Sequence, residues 1–342
     1  MRYIIIGAGA IGATIGARLF SAGHEVVLTA RGAHYTALRQ SGLRFATPAG
    51  TASLPIPAVS GPADLALQPG DVLIIATKVQ DAAVALDDWA WQPVAGGGVA
   101  AGTLPVFCAQ NGTAGERLAL RRFRHVYGMG VWLPATHLEP GVVEAPGTPM
   151  TGVLPAGRYP SGTDDTVRAV AADLTASTFV VPVSPDVMRY KYGKLLSNLS
   201  NAVQVLCGLE PAPGAIADAA ADLRQRAQAE GAAVLAAAGI DYLTAAELAE
   251  MRGDLVRIEP VNGARRTGSS SWQSLARGTG SVEADYLNGE IVLLGREHGV
   301  PVPANELLQQ LASQFARDRR EPGSITAAEL AALATGSAHA AQ

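Results

Sequence analysis

Three glycines near the start of the chain have the spacing that a phosphate-binding turn requires. Gly7, Gly9 and Gly12 follow a β-branched run at residues 2–6 and precede a helix-period stretch at residues 13–21. The first glycine permits a tight turn, the second lets a pyrophosphate approach the backbone, and the third lets the helix pack closely on the strands. Free N–H groups at the start of the helix attract phosphate. The pattern predicts a dinucleotide site made by Gly7, Ala8, Gly9, Ala10, Ile11 and Gly12; a glycine turn that has lost its cofactor is the alternative.

The end of the second predicted strand bears on which dinucleotide binds. The apolar residues 26–28 lead to Thr29, Ala30 and Arg31. A site for NAD commonly has a carboxylate here to bond the ribose 2′-hydroxyl, and none of these three residues is acidic. A guanidinium suits a 2′-phosphate, so Arg31 favours NADPH as the cofactor. A solvated surface arginine is the alternative.

A lysine and an asparagine in the second half could act on a carbonyl group. Lys194 and Asn198 are four residues apart, so they lie on one face of a helix. A lysine ammonium can protonate a carbonyl oxygen while a hydride reaches the carbon, and Asn198 can bond the substrate or hold the lysine. From spacing alone a solvated lysine is the more common outcome, and Lys191 competes for the same role.

Two further polar residues follow. Ser271 is a small hydrogen-bond donor at a predicted loop-to-helix junction, where it suits a carboxylate. Glu283 opens a predicted helix, where the helix dipole favours a carboxylate whether or not it has a function. A capping role and a functional role are therefore equally open for Glu283.

Predicted strands position further polar side chains near the glycine turn. Buried runs at residues 71–76 and 104–108 deliver Lys78 and Gln80, and then Asn111, to their carboxyl ends. Strands alternate with helices here, which predicts a parallel sheet. Because ligands bind at the carboxyl ends of such strands, we expect all these groups at one edge, with Lys78 and Gln80 on the cofactor side.

The pattern changes near residue 185, and from there on almost only helices are predicted. We expect an α/β Rossmann-type, NADP-binding domain at 1–184, an all-helical substrate domain at 185–335 and a disordered tail at 336–342. The predicted helices of the second half are residues 186–206, 215–238, 245–254, 282–298 and 306–317, and capping boxes are predicted at 244–247 and 326–329.

Composition excludes several classes of protein. The 342 residues suffice for two cores, and a net charge of −4 gives no footprint for nucleic acid or an acidic membrane. Cys108 and Cys207 lie in apolar stretches without metal-ligand spacing, which indicates buried thiols, a reducing compartment and no metal site. The first predicted strand begins at residue 2, so we expect no signal peptide in front of it. The longest charge-free stretch is broken by glycine and proline, so we expect no membrane span. A cytoplasmic protein is expected.

Taken in order, these motifs resemble the ketopantoate reductases (2-dehydropantoate 2-reductases) over nearly the whole chain. The resemblance rests on residues 6–12, Arg31-Gly32, Lys78, Gln110-Asn111-Gly112, Lys194 with Asn198, and Ser271 followed by the segment 283–289. It implies reduction of a 2-keto acid by NADPH, the step that makes pantoate for pantothenate and coenzyme A.

The resemblance also implies roles for single residues. Lys194 matches the catalytic general acid, and Asn111 matches a catalytic-site residue near both nicotinamide and substrate. Asn198 and Ser271 match substrate contacts, Ser271 on the carboxylate. Lys78 and Glu283 match cofactor contacts.

The chain departs from the family at the substrate pocket. The family commonly has Trp where Tyr192 stands and asparagine where Ala202 stands, with Asn201 one place early. A further asparagine is missing from residues 203–216. The reaction type is therefore better supported than ketopantoate itself, and a bulkier or differently substituted 2-keto acid is an alternative substrate.

Two other functions stay open. A related hydroxyacid or opine-type dehydrogenase would use a catalytic histidine, for which His125 and His137 are the central candidates. A non-catalytic NADPH-binding sensor would keep the first domain only. The alanine-rich helices leave a homodimer open as an assembly.

Overall fold

A computed structural model describes residues 1–209, 211, 213–264, 268–278, 280–326 and 329. In that part of the chain the strands are β1 (Arg2–Ile6), β2 (Glu25–Thr29), β3 (Leu43–Thr47), β4 (Gly50–Leu54), β5 (Ala58–Val59), β6 (Asp71–Ile75), β7 (Pro105–Cys108), β8 (His125–Met129), β9 (Val142–Glu144), β10 (Gly147–Pro149), β11 (Gly152–Val153), β12 (Ala156–Arg158), β13 (Phe179–Val180) and β14 (Val256–Ile258).

The helices of the described residues are α1 (Ala10–Ser21), α2 (Gly32–Ser41), α3 (Val79–Ala90), α4 (Ala100–Thr103), α5 (Ala114–Leu120), α6 (Asp165–Ala176), α7 (Val187–Asn198), α8 (Asn201–Cys207), α9 (Ala215–Ala237), α10 (Ala245–Arg252), α11 (Ser270–Ala276), α12 (Asn288–His298) and α13 (Pro303–Arg317). Short 3₁₀ helices cover Pro62–Asp64 and Glu283–Tyr286. None of the helices in this part of the chain is both long and apolar enough to cross a bilayer.

A seven-stranded sheet in the order β12-β8-β7-β6-β1-β2-β5 forms the centre of the first half. Its pairs are parallel except for β12, which runs antiparallel to β8. The apolar strand β6 is buried at every position, as expected for a parallel sheet covered on both faces. Ile6 pairs with Thr29 and Ile75, and Ile75 pairs with Cys108. The residues that follow β1, β2, β6 and β7 therefore leave the sheet at one edge.

Alternation along β1 builds two cores. Tyr3 and Ile5 lie on one face with Ile15 of α1, while Ile4 and Ile6 lie on the other with Leu86 of α3. All of these side chains are fully buried or nearly so. The side-chain period of two thus places helices on both faces of the sheet.

The chain forms two compact units, and their boundary differs from the predicted one. The first unit contains Met1–Lys194 and Tyr242–Arg266, and the second contains Leu195–Asp241 and Thr267–Gln342. Residues 242–264 join the first unit because β14 pairs antiparallel with β10, and Leu243 and Leu248 pack on Trp132. Local patterning does not encode such a distant pairing, and for this reason the segment was predicted to belong to the helical domain. The predicted tail at 336–342 lies outside the described residues.

The helices of the second half follow the prediction with two breaks. Residues 186–206 form α7 and α8 instead of one helix, and residues 282–298 form a 3₁₀ turn followed by α12. The second break lies at Leu287, whose ψ of −85° is not helical. Thr244 and Glu247 form the predicted capping box, in which the Thr244 N–H and the Arg189 guanidinium lower the pKa of Glu247 to about 2. The hydrogen bonds of the second predicted box, at Thr326, are also present.

A buried polar network joins helices of the second unit. The Glu230 carboxylate accepts hydrogen bonds from the backbone N–H groups of Ala304 and Asn305 at 2.8 and 3.0 Å, and so caps α13 from α9. The Asn305 amide donates to Ala227 O at 3.0 Å, and Asn288 donates to Asn305 Oδ1 at 3.0 Å. These bonds satisfy backbone groups at the start of α13 that have no partner within the helix.

Candidate active site

The glycine turn after β1 has the geometry of a pyrophosphate cradle. Gly7 has a φ of +97°, and a Cβ on Gly12 would lie 2.2 Å from Gly7 O. These two positions therefore require glycine for the turn itself. A Cβ on Gly9 would meet no atom within 4 Å, so this glycine faces open space. No side chain caps α1 at Gly9, which leaves its first N–H groups for a phosphate. The residues fit a dinucleotide.

The turn is fixed by its neighbours. Ala8 N donates to Thr29 O at 2.8 Å, and Gly7 N donates to Thr29 Oγ1 at 3.0 Å. His34 Nδ1 accepts from the Gly141 N–H at 2.9 Å, so His34 is neutral and its Nε2–H donates to Ala8 O at 2.7 Å. These bonds hold the backbone of the cradle in place before any ligand binds.

Arg31 is the residue predicted to contact a 2′-phosphate. It lies two residues after Thr29, the last residue of β2, and its side chain is 74% exposed. Its guanidinium pairs with Asp88 of α3 at 3.1 Å. An exposed pair of this kind contributes about 0–1 kcal/mol, so a phosphate can displace the carboxylate.

The ends of β6 and β7 are tied together beside the cradle. Gln110 Nε2 donates to Thr77 O at 2.8 Å, which links the segment before Lys78 to the segment before Asn111. Lys78 is the N-cap residue of α3, and Gln80 lies in the first turn of that helix. Local sequence carries no signal for the Gln110–Thr77 link, since the two residues are 33 positions apart.

The two competing lysines of α7 have different surroundings. Lys191 is 2% exposed and forms an ion pair with Glu116 of α5, which is fully buried. Burial raises the pKa of Glu116, and the positive charge of Lys191 opposes that shift. Lys194 is half-buried, and its Nζ lies 5.5 Å from the ring centroid of Trp132. The ammonium of Lys191 is thus committed to a buried contact within the first unit.

The remaining predicted substrate and cofactor residues belong to the second unit. Asn198 ends α7 and is 6% exposed. Ser271 is 5% exposed in the first turn of α11, whose N-cap is Ser269, so Ser271 is not needed for capping. Glu283 is 5% exposed and begins a 3₁₀ helix instead of the predicted α-helix.

Neither candidate for a catalytic histidine, His125 or His137, lies in the glycine turn itself. His125 is the first residue of β8, at the amino end of a parallel strand and so at the opposite edge of the sheet from the cradle. The His137 Nδ1–H donates to Val142 O at 2.9 Å, and its ring lies 4.2 Å from that of His34. His137 is therefore held in a ring pair behind the cradle.

Comparison with known proteins identifies the family. The family model described as ketopantoate reductase PanE/ApbA matches residues 3–155, and its C-terminal counterpart matches residues 186–316. The chain belongs to the ketopantoate reductase family. The resemblance inferred from the ordered motifs is confirmed, and so is the predicted fold class of a Rossmann-type domain followed by a helical one. A ketopantoate reductase of this kind is an oxidoreductase that acts on a CH–OH group and uses a nicotinamide cofactor.

Individual relatives match at modest identity. The 2-dehydropantoate 2-reductase of Halobacterium salinarum is 27% identical over 93% of this chain and 100% of its own length. The crystal structure of a PanE/ApbA family ketopantoate reductase from Ralstonia eutropha is 27% identical, covers 94% of this chain and 100% of its own, and superposes with a TM-score of 0.74. A D-mandelate dehydrogenase solved with NADH and anilino(oxo)acetate superposes with a TM-score of 0.78 at 22% identity, covering 93% of this chain and 99% of its own.

Proposed function

We propose that this ketopantoate reductase reduces 2-dehydropantoate to pantoate with NADPH, and that Lys194 is the general acid. The main support is the position of the Lys194 ammonium over Trp132, a residue just past the carboxyl end of β8. Strand β8 is parallel to β7, whose carboxyl end leads to Asn111. The indole that Lys194 contacts therefore follows the same edge of the sheet as Asn111 and the glycine turn.

In this proposal each residue has a distinct task. A bound nicotinamide supplies a hydride to the carbonyl carbon. Lys194 donates its proton to the carbonyl oxygen, and its charge stabilises the negative charge that develops there. Asn111 orients the carbonyl, Asn198 bonds the substrate, and Ser271 donates to the substrate carboxylate.

The cofactor contacts divide between the phosphates and the rest of the dinucleotide. The segment from Gly7 to Gly12, including Ala8, Ala10 and Ile11, holds the pyrophosphate at the start of α1. Arg31 takes the 2′-phosphate, while Lys78, Gln80 and Glu283 contact other parts of the cofactor. The buried thiols of Cys108 and Cys207 are compatible with the cytoplasm as the compartment, and a homodimer is the assembly we propose.

The experiment that tests the function is an assay of NADPH oxidation with a panel of 2-keto acids. The panel contains ketopantoate, pyruvate and phenylglyoxylate, and NADH replaces NADPH in the control. We expect the highest kcat/KM with ketopantoate and NADPH. Binding of NADPH without oxidation by any acid would overturn the proposal and favour a sensor.

A bulkier 2-keto acid is the second candidate substrate, and Ala202 favours it. Ala202 is 3% exposed at the position where the family resemblance expects an asparagine. A methyl group there is smaller than the amide of asparagine and cannot form its hydrogen bonds. A higher kcat/KM with phenylglyoxylate than with ketopantoate would keep the mechanism and change the substrate.

Replacement of Arg31 by alanine is expected to raise KM for NADPH by about 10- to 100-fold and to leave KM for NADH nearly unchanged. The physical reason is loss of a charge-assisted bond, worth about 1.5–3 kcal/mol, to a phosphate that NADH lacks. Steady-state kinetics with both cofactors measure this. Arg168→Ala is the matched control, because Arg168 is also exposed and also pairs with a carboxylate, that of Asp165 at 3.0 Å. Equal changes for both cofactors would remove Arg31 from the 2′-phosphate.

A further inference from the structure

Trp132 is the aromatic residue that faces the Lys194 ammonium. The Nζ atom lies 5.5 Å from the ring centroid, within the distance at which a cation is attracted to the face of an indole. Trp132 is 7% exposed, so the contact lies where water screens it little. The two residues come from different elements of the first unit, 62 positions apart along the sequence.

The backbone around Trp132 is held from both sides. Its N–H donates to Val153 O at 3.0 Å, and the Val153 N–H donates back to Trp132 O at 3.0 Å. A Cβ on Gly130 would lie 2.7 Å from Cζ3 of the indole, so a larger residue there would push the ring away. The side chain packs against Val153, Leu243 and Leu248. The ring is therefore a fixed surface and not a mobile side chain.

The helix that carries Lys194 is fixed as well. One turn earlier on α7, Lys191 forms its buried ion pair with Glu116 of α5. Gly193 packs against the backbone of Leu243, since a Cβ there would lie 2.5 Å from Leu243 O. Helix α7 and the indole thus both lie against the segment that begins at Tyr242. The Lys194 ammonium lies at the end of a long side chain, and the ring faces it.

We propose that Trp132 is a positioning residue for Lys194: its ring face holds in one place the ammonium from which Lys194 gives its proton. This inference rests on the proposed role of Lys194 as general acid. A freely rotating lysine would lose rotamer entropy on each encounter with substrate, and the indole reduces that cost in advance. Trp132 acts through Lys194 and needs no contact with substrate.

The test is a double-mutant cycle on kcat. Trp132→Leu keeps the apolar volume and removes the ring, and we expect kcat to fall by about 2- to 30-fold while NADPH affinity stays unchanged. Trp132→Phe restores a ring and should recover most of the loss. In the Lys194→Ala background, Trp132→Leu should cause no further decrease, because the residue through which it acts is gone.

The controls separate this inference from the proposed function. Trp89→Leu removes another buried tryptophan, 3% exposed in α3, and should leave kcat per folded molecule unchanged. Thermal unfolding shows whether each variant is folded. A full loss of activity in Lys194→Ala combined with native kcat in Trp132→Leu would overturn the inference alone. Native activity in Lys194→Ala would overturn the proposed function. Equal losses from Trp132→Leu with and without Lys194 would assign the tryptophan a structural role only.

Discussion

Replacement of Lys194 by alanine is expected to lower kcat by about 10²- to 10⁴-fold while NADPH still binds. General acid catalysis by a positioned side chain contributes a factor of this size, and the methyl group of alanine cannot donate a proton. The ammonium that is lost lies over Trp132, and the glycine turn that is expected to bind the phosphates is left unchanged. Single-turnover oxidation of NADPH measures the chemical step, and fluorescence titration measures cofactor binding.

His137→Ala is the matched control for this prediction. His137 belongs to the ring pair behind the cradle, and its loss should leave the chemical step nearly intact. Activity that survives the loss of Lys194 but disappears with His137 would favour a histidine-dependent dehydrogenase. Lys194→Arg is a further comparison, because it keeps the charge but holds its proton too tightly to donate it.

Replacement of Lys191 by methionine is expected to lower the free energy of unfolding by about 3–5 kcal/mol. The reason is that Glu116, which is fully buried, would lose its partner and would have to either keep an unpaired charge or bind a proton. Urea unfolding measures the change. The double variant Lys191→Met with Glu116→Gln should recover a large part of the loss, because no buried charge remains. Asp222→Asn is the control: it breaks the exposed pair of Asp222 with Arg226 at 2.8 Å and should cost less than about 1 kcal/mol.

The destabilisation of Lys191→Met should depend on pH with a defined sign. Burial raises the pKa of Glu116, and removal of Lys191 takes away the charge that opposes this shift. The folded variant then binds a proton that the unfolded chain has already released, so it gains stability as pH falls from about 8 towards 5. Glu116→Gln cannot titrate and should lack this gain. A Lys191→Met variant whose stability loss is the same at both pH values would show that removal of Lys191 does not change the protonation of Glu116.

Local sequence determined the cradle and the elements around it. Gly7, Gly9 and Gly12 have separate steric duties that hold wherever this turn is placed, so their spacing alone predicted the geometry observed. Buried β-branched runs predicted the parallel strands, and because the carboxyl ends of parallel strands share one edge, Arg31 and Asn111 were expected there together. The capping box at Thr244 was predicted for the same reason, since all its partners lie within four residues.

Contacts between distant segments were decided only by the tertiary structure. The family resemblance assigned the general acid to Lys194, and spacing alone left Lys191 as a competitor; the fold buries Lys191 against Glu116, 75 positions away. The same holds for Trp132 over Lys194, and for β14, which joins the first unit by pairing with β10. Local propensity describes the conformation of a segment, whereas burial, ion pairing and strand pairing depend on which distant segment packs against it. For that reason the sequence alone predicted the type of site, and packing selected which of its lysines is held in a buried ion pair.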